Sequence, residues 1–145
     1  MQIRRRTAAL AATAGIIAVS VVGLAAPALA DGTATCGGSQ VCLYYDSGQS
    51  GAHIGFYWNV SDFSHDSYNN GAYWTFPSNG DGAGQDVKDN VASAHNLDPS
   101  CRVRIYYNEN FNAAGSAPYQ DFSPGNYGNL SSALLNSNAS QQWFC

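Results

Sequence analysis

The sequence predicts an all-β domain, and three observations support this prediction. First, one pattern occurs twice: an aromatic-rich hairpin followed by an acid/amide-x-x-Ser stretch, from Tyr44 to Ser93 and again from Tyr106 to Ser140. Such a repeat indicates two copies of one structural unit. Second, the chain is rich in Gly, Asn, Ser and Tyr and poor in Leu, Lys and Glu, which disfavours long helices. Third, apolar and polar residues alternate in several short segments, as half-buried strands require.

In the first repeat, two strands flank a turn that contains two glycines. The first predicted strand is Val41–Tyr45, and the returning strand is Ala52–Trp58, in which Ile54, Phe56 and Trp58 share one face. A long polar and aromatic stretch over 61–85 follows, and a short strand is predicted within 86–96. Compared with the second repeat, the first has about fifteen extra residues between Tyr68 and Asp86. Loops of this length are uncommon unless they are functional or mobile.

The second repeat follows the same plan with shorter connections. Val103–Tyr107 is predicted as a strand with alternating faces, and the chain returns over 117–122 after a turn. A loop or short helical turn is predicted over 126–135, and the last strand within 136–144. The two repeats together therefore account for the whole predicted domain.

Residues 1–30 have the features of a secretory signal peptide. Three arginines (Arg4, Arg5 and Arg6) precede an uncharged apolar run, and Ala28-Leu29-Ala30 forms a small-x-small cleavage site. A membrane anchor is the alternative, but the apolar run barely reaches the length needed to span a bilayer. We therefore expect a secreted, extracellular domain of residues 31–145 that has no membrane attachment after cleavage.

Cleavage makes the domain strongly acidic. It leaves three basic residues (Lys88, Arg102 and Arg104) against ten acidic ones, a net charge of −7. Binding to nucleic acid or to an anionic membrane requires clustered Lys and Arg, so neither partner is expected. The charge suits solubility, cations or a basic protein partner.

All four cysteines lie in the predicted mature domain. Because export leads to an oxidising compartment, two disulfides are expected, and four cysteines allow three pairings. The pairing Cys36–Cys42 with Cys101–Cys145 gives each repeat one bridge, and we predict it for that reason. No Cys or His spacing typical of a zinc site is present.

The repeated residues resemble the βγ-crystallin double Greek key. In that fold an aromatic residue follows Tyr in the hairpin, as Phe111 follows Tyr106 in the second repeat. An Asp/Asn-Asp/Asn-x-x-Ser stretch comes later in the motif, as at 89–93 in the first repeat. The openings Cys36 to Tyr44 and Cys101 to Tyr106 are similar to secreted actinobacterial peptidase inhibitors of the streptomycete metalloproteinase inhibitor type. The resemblance implies a βγ-crystallin-like sandwich, with motif one at about 36–96 and motif two at about 101–145. It also implies a monomeric inhibitor of secreted metalloproteases, without enzymatic activity and without a required cofactor.

The segment between the repeats is the candidate inhibitory loop. It comprises Pro99, Ser100, Cys101, Arg102 and Val103. Pro99 stiffens the segment and a disulfide at Cys101 would anchor it, and a preorganised loop loses less entropy when it binds. The alternative is a plain linker between repeats whose cysteine is only structural.

The βγ-crystallin resemblance also implies two possible Ca²⁺ sites, each combining one repeat's acid/amide-Ser stretch with the other repeat's hairpin. The first would join Asp89, Asn90 and Ser93 to Asn108 or Glu109, and the second would join Asn136 and Ser140 to Asp46. Oxygen ligands of this kind suit calcium. The alternative is that these residues only cap turns.

Five residues depart from the βγ-crystallin pattern. They are Gln49, Ala94, Ala113, Ser137 and Gln141. A fold tolerates such losses more easily than ion binding does, so a calcium-stabilised structural protein is the second function hypothesis.

An aromatic cluster provides a third hypothesis, a carbohydrate-binding or antimicrobial module that would use the segment Tyr68–Phe76. The cluster contains Phe56, Tyr57, Trp58, Phe63, Tyr68, Tyr73, Trp74 and Phe76. Exposed aromatic platforms bind sugars and proteins, but in a chain with few leucines these rings are also expected to fill the core. The sequence contains no hydrolase or phosphate-loop motif that would indicate an enzyme.

Overall fold

A computed structural model describes residues 33–145, and the predicted signal peptide and cleavage site lie outside this range. The described chain contains seven strands and two short 3₁₀ turns, at Ser67–Asn69 and Asn110–Asn112. The strands are β1 (Val41–Asp46), β2 (Ser50–Phe56), β3 (Ser93–Asn96), β4 (Arg102–Tyr106), β5 (Tyr119–Phe122), β6 (Tyr127–Asn129) and β7 (Ser140–Phe144). The predicted all-β class is confirmed. Within residues 33–145, no helix is long and apolar enough to cross a lipid bilayer.

The strands form two antiparallel sheets. The first has the order β2-β1-β3-β6 and the second has the order β5-β4-β7. Each sheet also pairs with a segment of the other repeat. Strand β6 of the second repeat pairs with β3, and Val60 of the first repeat pairs with Gln141 at the free edge of β7. This reciprocal exchange produces the double Greek key that the sequence predicted.

The apolar core lies between the two sheets. Strands β1 and β4 each direct alternate residues inward, such as Leu43 and Ile105, and these side chains are fully buried. Large aromatic rings fill the rest, with Trp74 packed edge-on against Phe56 at 5.2 Å between ring centroids. The extra segment of the first repeat therefore contributes directly to the core.

The extra segment folds back on the β1–β2 hairpin. Trp74 and Phe76 pair with Val87 and Gln85 through backbone hydrogen bonds of 2.7 to 2.9 Å. The Asp81 carbonyl accepts a 2.7 Å hydrogen bond from the Ala52 N–H. The segment is thus a structured part of the domain that is held on both sides by backbone hydrogen bonds.

Both predicted disulfides are present. Cys36 pairs with Cys42 and Cys101 with Cys145, with Cα atoms 5.7 and 4.4 Å apart. Two closed bridges are typical of proteins in oxidising compartments. By loop-closure entropy, the longer bridge stabilises the fold by about 4 kcal/mol.

One element differs from the sequence prediction. Residues Tyr127–Asn129, predicted as part of a loop or helical turn, form strand β6. The segment is too short to show alternation, and Pro124-Gly125 before it favours a turn. Only pairing with β3, which is distant in sequence, makes it a strand.

Candidate functional site: the loop between the repeats

The loop between β3 and β4 is held by two polar side chains at its base. Asn96 is fully buried, and its Nδ2 donates to the carbonyls of Cys101 at 2.8 Å and Phe122 at 2.9 Å. Its Oδ1 accepts a 2.9 Å hydrogen bond from the Asp98 N–H. Asn96 therefore joins both ends of the loop to each other and to β5.

Asp98 folds the tip of the loop. Its Oδ1 accepts hydrogen bonds from the N–H groups of Ser100 at 2.8 Å and Cys101 at 2.6 Å. This is the side-chain turn that Asp commonly forms before a bend. Leu97 anchors the preceding position, because its N–H donates to the Gln40 carbonyl at 2.8 Å. The backbone over 97–101 is therefore fixed by hydrogen bonds at nearly every step.

The loop exposes a short segment beside the long disulfide. Pro99 and Ser100 are exposed, and Cys101 and Arg102 are partly exposed. Val103, by contrast, is fully buried on the inner face of β4. The accessible part of the predicted inhibitory segment therefore ends at Arg102, and Val103 supports it from the core.

The residues of the implied calcium sites are grouped differently from the expected sets. Ser93 donates its hydroxyl hydrogen to the Asp46 carbonyl and accepts from the Gln49 N–H at 2.9 Å, so it serves its own hairpin. Ser140 likewise bonds the Asn108 carbonyl and the Phe111 N–H. Neither serine joins the hairpin of the other repeat.

Four of the remaining implied ligands, Asp89, Asn108, Glu109 and Asn136, line one cavity of about 940 Å³ between the repeats, whereas Asp46 does not. The cavity is lined by Lys88, Asp89, Tyr107, Asn108, Glu109, Asn110, Ala113, Ala114, Asn136, Ser137 and Ala139. Asn90, which bonds the Lys88 carbonyl through Nδ2 at 3.2 Å, does not line it. Asp89, Glu109 and Asn136, which the two implied calcium sites had assigned to different sets, are thus brought together, and Ser93 is not among them.

This cavity is a poor match for calcium, because a cation of the chain already occupies its acidic side. The Lys88 ammonium forms an ion pair with the Glu109 carboxylate. Burial alone would lower the pKa of Lys88, but the hydrogen bond and charge of Glu109 raise it, so the ammonium stays charged. Within residues 33–145, no three His, Cys, Asp or Glu side chains converge as a metal-binding group.

A serine with polar neighbours lies nearby, and the sequence did not indicate it. Ser64 is 2% exposed, donates to Asp62 at 2.7 Å, and lies 3.0 Å from His65 Nδ1 and 3.3 Å from Lys88 Nζ. A nucleophile needs access to substrate and an adjacent base. Ser64 is buried and its hydroxyl hydrogen is already donated to Asp62, so this cluster stabilises the local fold and does not present the hydroxyl to a substrate.

The aromatic cluster is mainly part of the core. Phe56, Phe63, Trp74 and Phe76 are buried, whereas Tyr57 and Tyr73 are each 47% exposed. Since both large rings at the end of the segment Tyr68–Phe76 face inward, they do not form a platform for a sugar. The alternative that these rings fill the core accounts for four of the eight residues.

The sequence did not indicate that Asn96 and Asp98 hold the conformation of the loop. The Asp-Pro-Ser sequence at 98–100 is a recognisable turn signal. By contrast, no local pattern shows that Asn96 is buried and reaches β5, because its partner Phe122 is 26 residues away.

Comparison with known proteins supports the architecture. No family model and no curated protein matches the sequence. A solved structure described as "Evolution of the eye lens beta-gamma-crystallin domain fold" is similar, with a TM-score of 0.52 and 17% identity over 76% of this chain and 92% of the other. At this identity the likeness concerns the fold alone. With its two sheets, exchanged edges and repeated hairpins, the chain has the βγ-crystallin-like double Greek key fold.

Proposed function

We propose that the protein is a secreted inhibitor of peptidases, specifically of metalloproteases, and that it docks the loop 97–102 into the protease cleft. The observation that carries the proposal is the fixed conformation of this loop, held by Asn96, Asp98 and the Cys101–Cys145 bridge. The sequence resemblance at Cys36 to Tyr44 and Cys101 to Tyr106 supports the same function.

Rigidity is the property that an inhibitor of this kind needs. Each flexible side chain that is immobilised on binding costs about 0.5 to 1.5 kcal/mol, and ordering a loop adds to that cost. In this chain the fold has already ordered the loop before any partner is met. The exposed residues Pro99 and Ser100 can therefore contact a partner while the backbone behind them stays in place.

The mechanism requires no chemistry by the inhibitor itself. The loop would occupy the substrate-binding cleft, and the rest of the domain would prevent the loop from adopting the conformations that cleavage requires. A single copy suffices, because one chain contains the whole loop and both of its anchors. The partner in this proposal is a secreted protease, and no cofactor is involved.

The test is inhibition of thermolysin and of a wider metalloprotease and serine protease panel by oxidised protein starting at Asp31. We expect stoichiometric inhibition of at least one metalloprotease. Asp98→Ala should weaken it about tenfold, because the loop would then have to be ordered on binding. Asp81→Ala is the matched control, since it removes the same charge from an exposed position outside the loop. No inhibition of any enzyme in the panel would refute the proposal.

A further inference from the structure

The outer face of the second sheet carries both arginines of residues 33–145. Along β4, Val103 and Ile105 point into the core, so Arg102 and Arg104 point outward. The strand register places Asp121 opposite Arg104, Tyr119 opposite Tyr106, and Phe144 opposite Arg102. We call Arg102, Arg104, Tyr119, Asp121 and Phe144 the arginine face.

Arg104 is locked at the centre of this face. Its Nε donates to Asp121 Oδ1 at 2.7 Å and its Nη2 to Asp121 Oδ2 at 2.9 Å, a bidentate pair. The guanidinium also stacks on Tyr119, with its central carbon 3.7 Å from the ring centroid, and lies 5.3 Å from the Phe144 ring. These contacts hold a long side chain and an exposed tyrosine in one arrangement.

Arg102 is less completely engaged. Its Nη1 lies 3.2 Å from Asp121 Oδ2, its guanidinium lies 4.5 Å from the Phe144 ring, and its side chain is 39% exposed. One carboxylate therefore faces two guanidinium groups, which leaves the face with a net positive charge. Arg102 retains N–H groups that can meet a further carboxylate.

We propose that the arginine face is a second contact surface for the target protease, and that it binds a carboxylate-bearing protein surface beside the cleft. The inference rests on the proposed function, and it names the chemistry of the partner. Arg102 belongs to the docking loop and to the face, so the two surfaces are continuous. A partner acidic at this position complements a face that holds two of the three basic residues of 33–145.

The geometry favours a protein partner over a sugar. A sugar stacks on the open face of an aromatic ring, but guanidinium groups already cover one face of Tyr119 and of Phe144. A rigid patch of Arg and Tyr side chains is the composition that dominates binding energy at protein interfaces. The tyrosine remains 54% exposed and available to a flat partner surface.

The first experiment measures the affinity and association rate of the protein for thermolysin. Tyr119→Ala should weaken binding about tenfold. Tyr127→Ala, which removes an even more exposed tyrosine from β6 in the other sheet, should leave affinity unchanged. Arg102→Gln should reduce the salt dependence of the association rate, whereas Lys88→Gln, an equal charge change at the cavity between the repeats, should not. Melting temperatures of all variants verify folding.

The second experiment is independent of inhibition. Hexaglutamate is titrated while the Nε–Hε NMR signals of the arginines are followed, with chitohexaose as the sugar probe. We expect hexaglutamate to shift the Arg102 signal, Arg102→Gln to abolish binding, and chitohexaose to have no effect on the Tyr119 ring.

The outcomes separate the two proposals. If thermolysin and the rest of the panel are not inhibited, the function proposal fails, and the hexaglutamate titration still decides whether the face recognises carboxylates. If inhibition is strong but Tyr119→Ala and Arg102→Gln behave like their controls, the second surface does not exist. Absence of the Arg102 shift, or a shift of the Tyr119 ring with chitohexaose, also overturns the inference.

Discussion

Ser93 and Ser140 make the same hydrogen bond in the two repeats. Each hydroxyl donates at 2.6 Å to a carbonyl in its own repeat's hairpin turn, Asp46 for Ser93 and Asn108 for Ser140. Both serines are fully buried. The serine that ends each acid/amide stretch therefore stabilises a folded hairpin by hydrogen bonding, and this shared structural role explains why the serine recurs in the sequence repeat.

Replacing either serine should destabilise the domain. Ser93→Ala or Ser140→Ala leaves a hairpin carbonyl and an N–H without a partner, at a cost of about 1 to 3 kcal/mol in the free energy of unfolding. Urea denaturation measures the loss. Ser100→Ala, at an exposed loop position, is the control and should change stability by less than about 0.5 kcal/mol. Equal stability of the Ser93 variant and this control would show that the hydrogen bond contributes nothing.

A second prediction concerns Gly82 beneath the Tyr45 ring. Its φ is +81°, and a Cβ at this position would overlap the ring atoms of Tyr45. Gly82→Ala should therefore cost at least about 1 kcal/mol, from the left-handed backbone and from displacement of the ring. Thermal unfolding tests this, with Gly84→Ala as control. Gly84 has a similar φ of +78° but nothing near its Cβ, so it isolates the backbone contribution.

The acid sensitivity of the fold should depend on Asp121. Its hydrogen bond to Arg104 lowers its pKa below the ordinary value of 3.8, even though burial opposes the shift. Below that value the unfolded chain takes up the proton first, so the stability from this pair is present above pH 3.8 and is lost as the pH falls through the native pKa. Asp121→Asn should flatten this acid limb in denaturation curves recorded between about pH 2 and 6.

Asp89 should affect the pH dependence of stability in the opposite direction to Asp121. Desolvation raises its pKa above 3.8, with Glu109 adding to the effect and Lys88 opposing it. Its native state therefore binds the proton first, and its contribution to stability is present at low pH and is lost as the pH rises through the native pKa. Asp89→Asn should make the domain slightly more stable at pH 7, by a few tenths of a kcal/mol. Asn also accepts the left-handed backbone at this position, where φ is 59°. A destabilised Asp89→Asn variant would contradict this reasoning.

Calcium should have little effect on the wild-type protein. Because Lys88 already neutralises Glu109, we expect the melting temperature to stay constant in millimolar CaCl₂. A rise that follows the mass-action law for binding to the native state would contradict this expectation. Glu109→Gln distinguishes the two cases, because it should abolish a calcium effect if that carboxylate is a ligand.

The strands and disulfides could be predicted because their signals are local or follow from the repeat. Alternation of partly exposed and buried side chains marks β4, an apolar run whose first three residues are buried marks β1, and the repeat suggested one bridge for each unit. Strand β6 could not be predicted, since three residues between turn-forming segments have no period of their own.

The loop and the arginine face show a different limit. The segment 99–102 stood out by its proline and cysteine, but its rigidity depends on Asn96 contacting Phe122 across the fold. The arginine face likewise depends on the register that places Asp121 of β5 beside Arg104 of β4. The grouping of Ser93 with its own hairpin also depends on tertiary structure that residue spacing does not encode.

The pairing of each sheet with a segment of the other repeat determines what happens if a protease cuts its inhibitor. A break between Pro99 and Cys101 would yield two fragments, one for each repeat. The fragments would remain interlocked, because β6 still pairs with β3 and Val60 with Gln141. The new ends would stay close to each other, since Asn96 and Cys145 hold the two sides of the cut. A nicked molecule would thus keep its shape, and resealing of the peptide bond would compete with release.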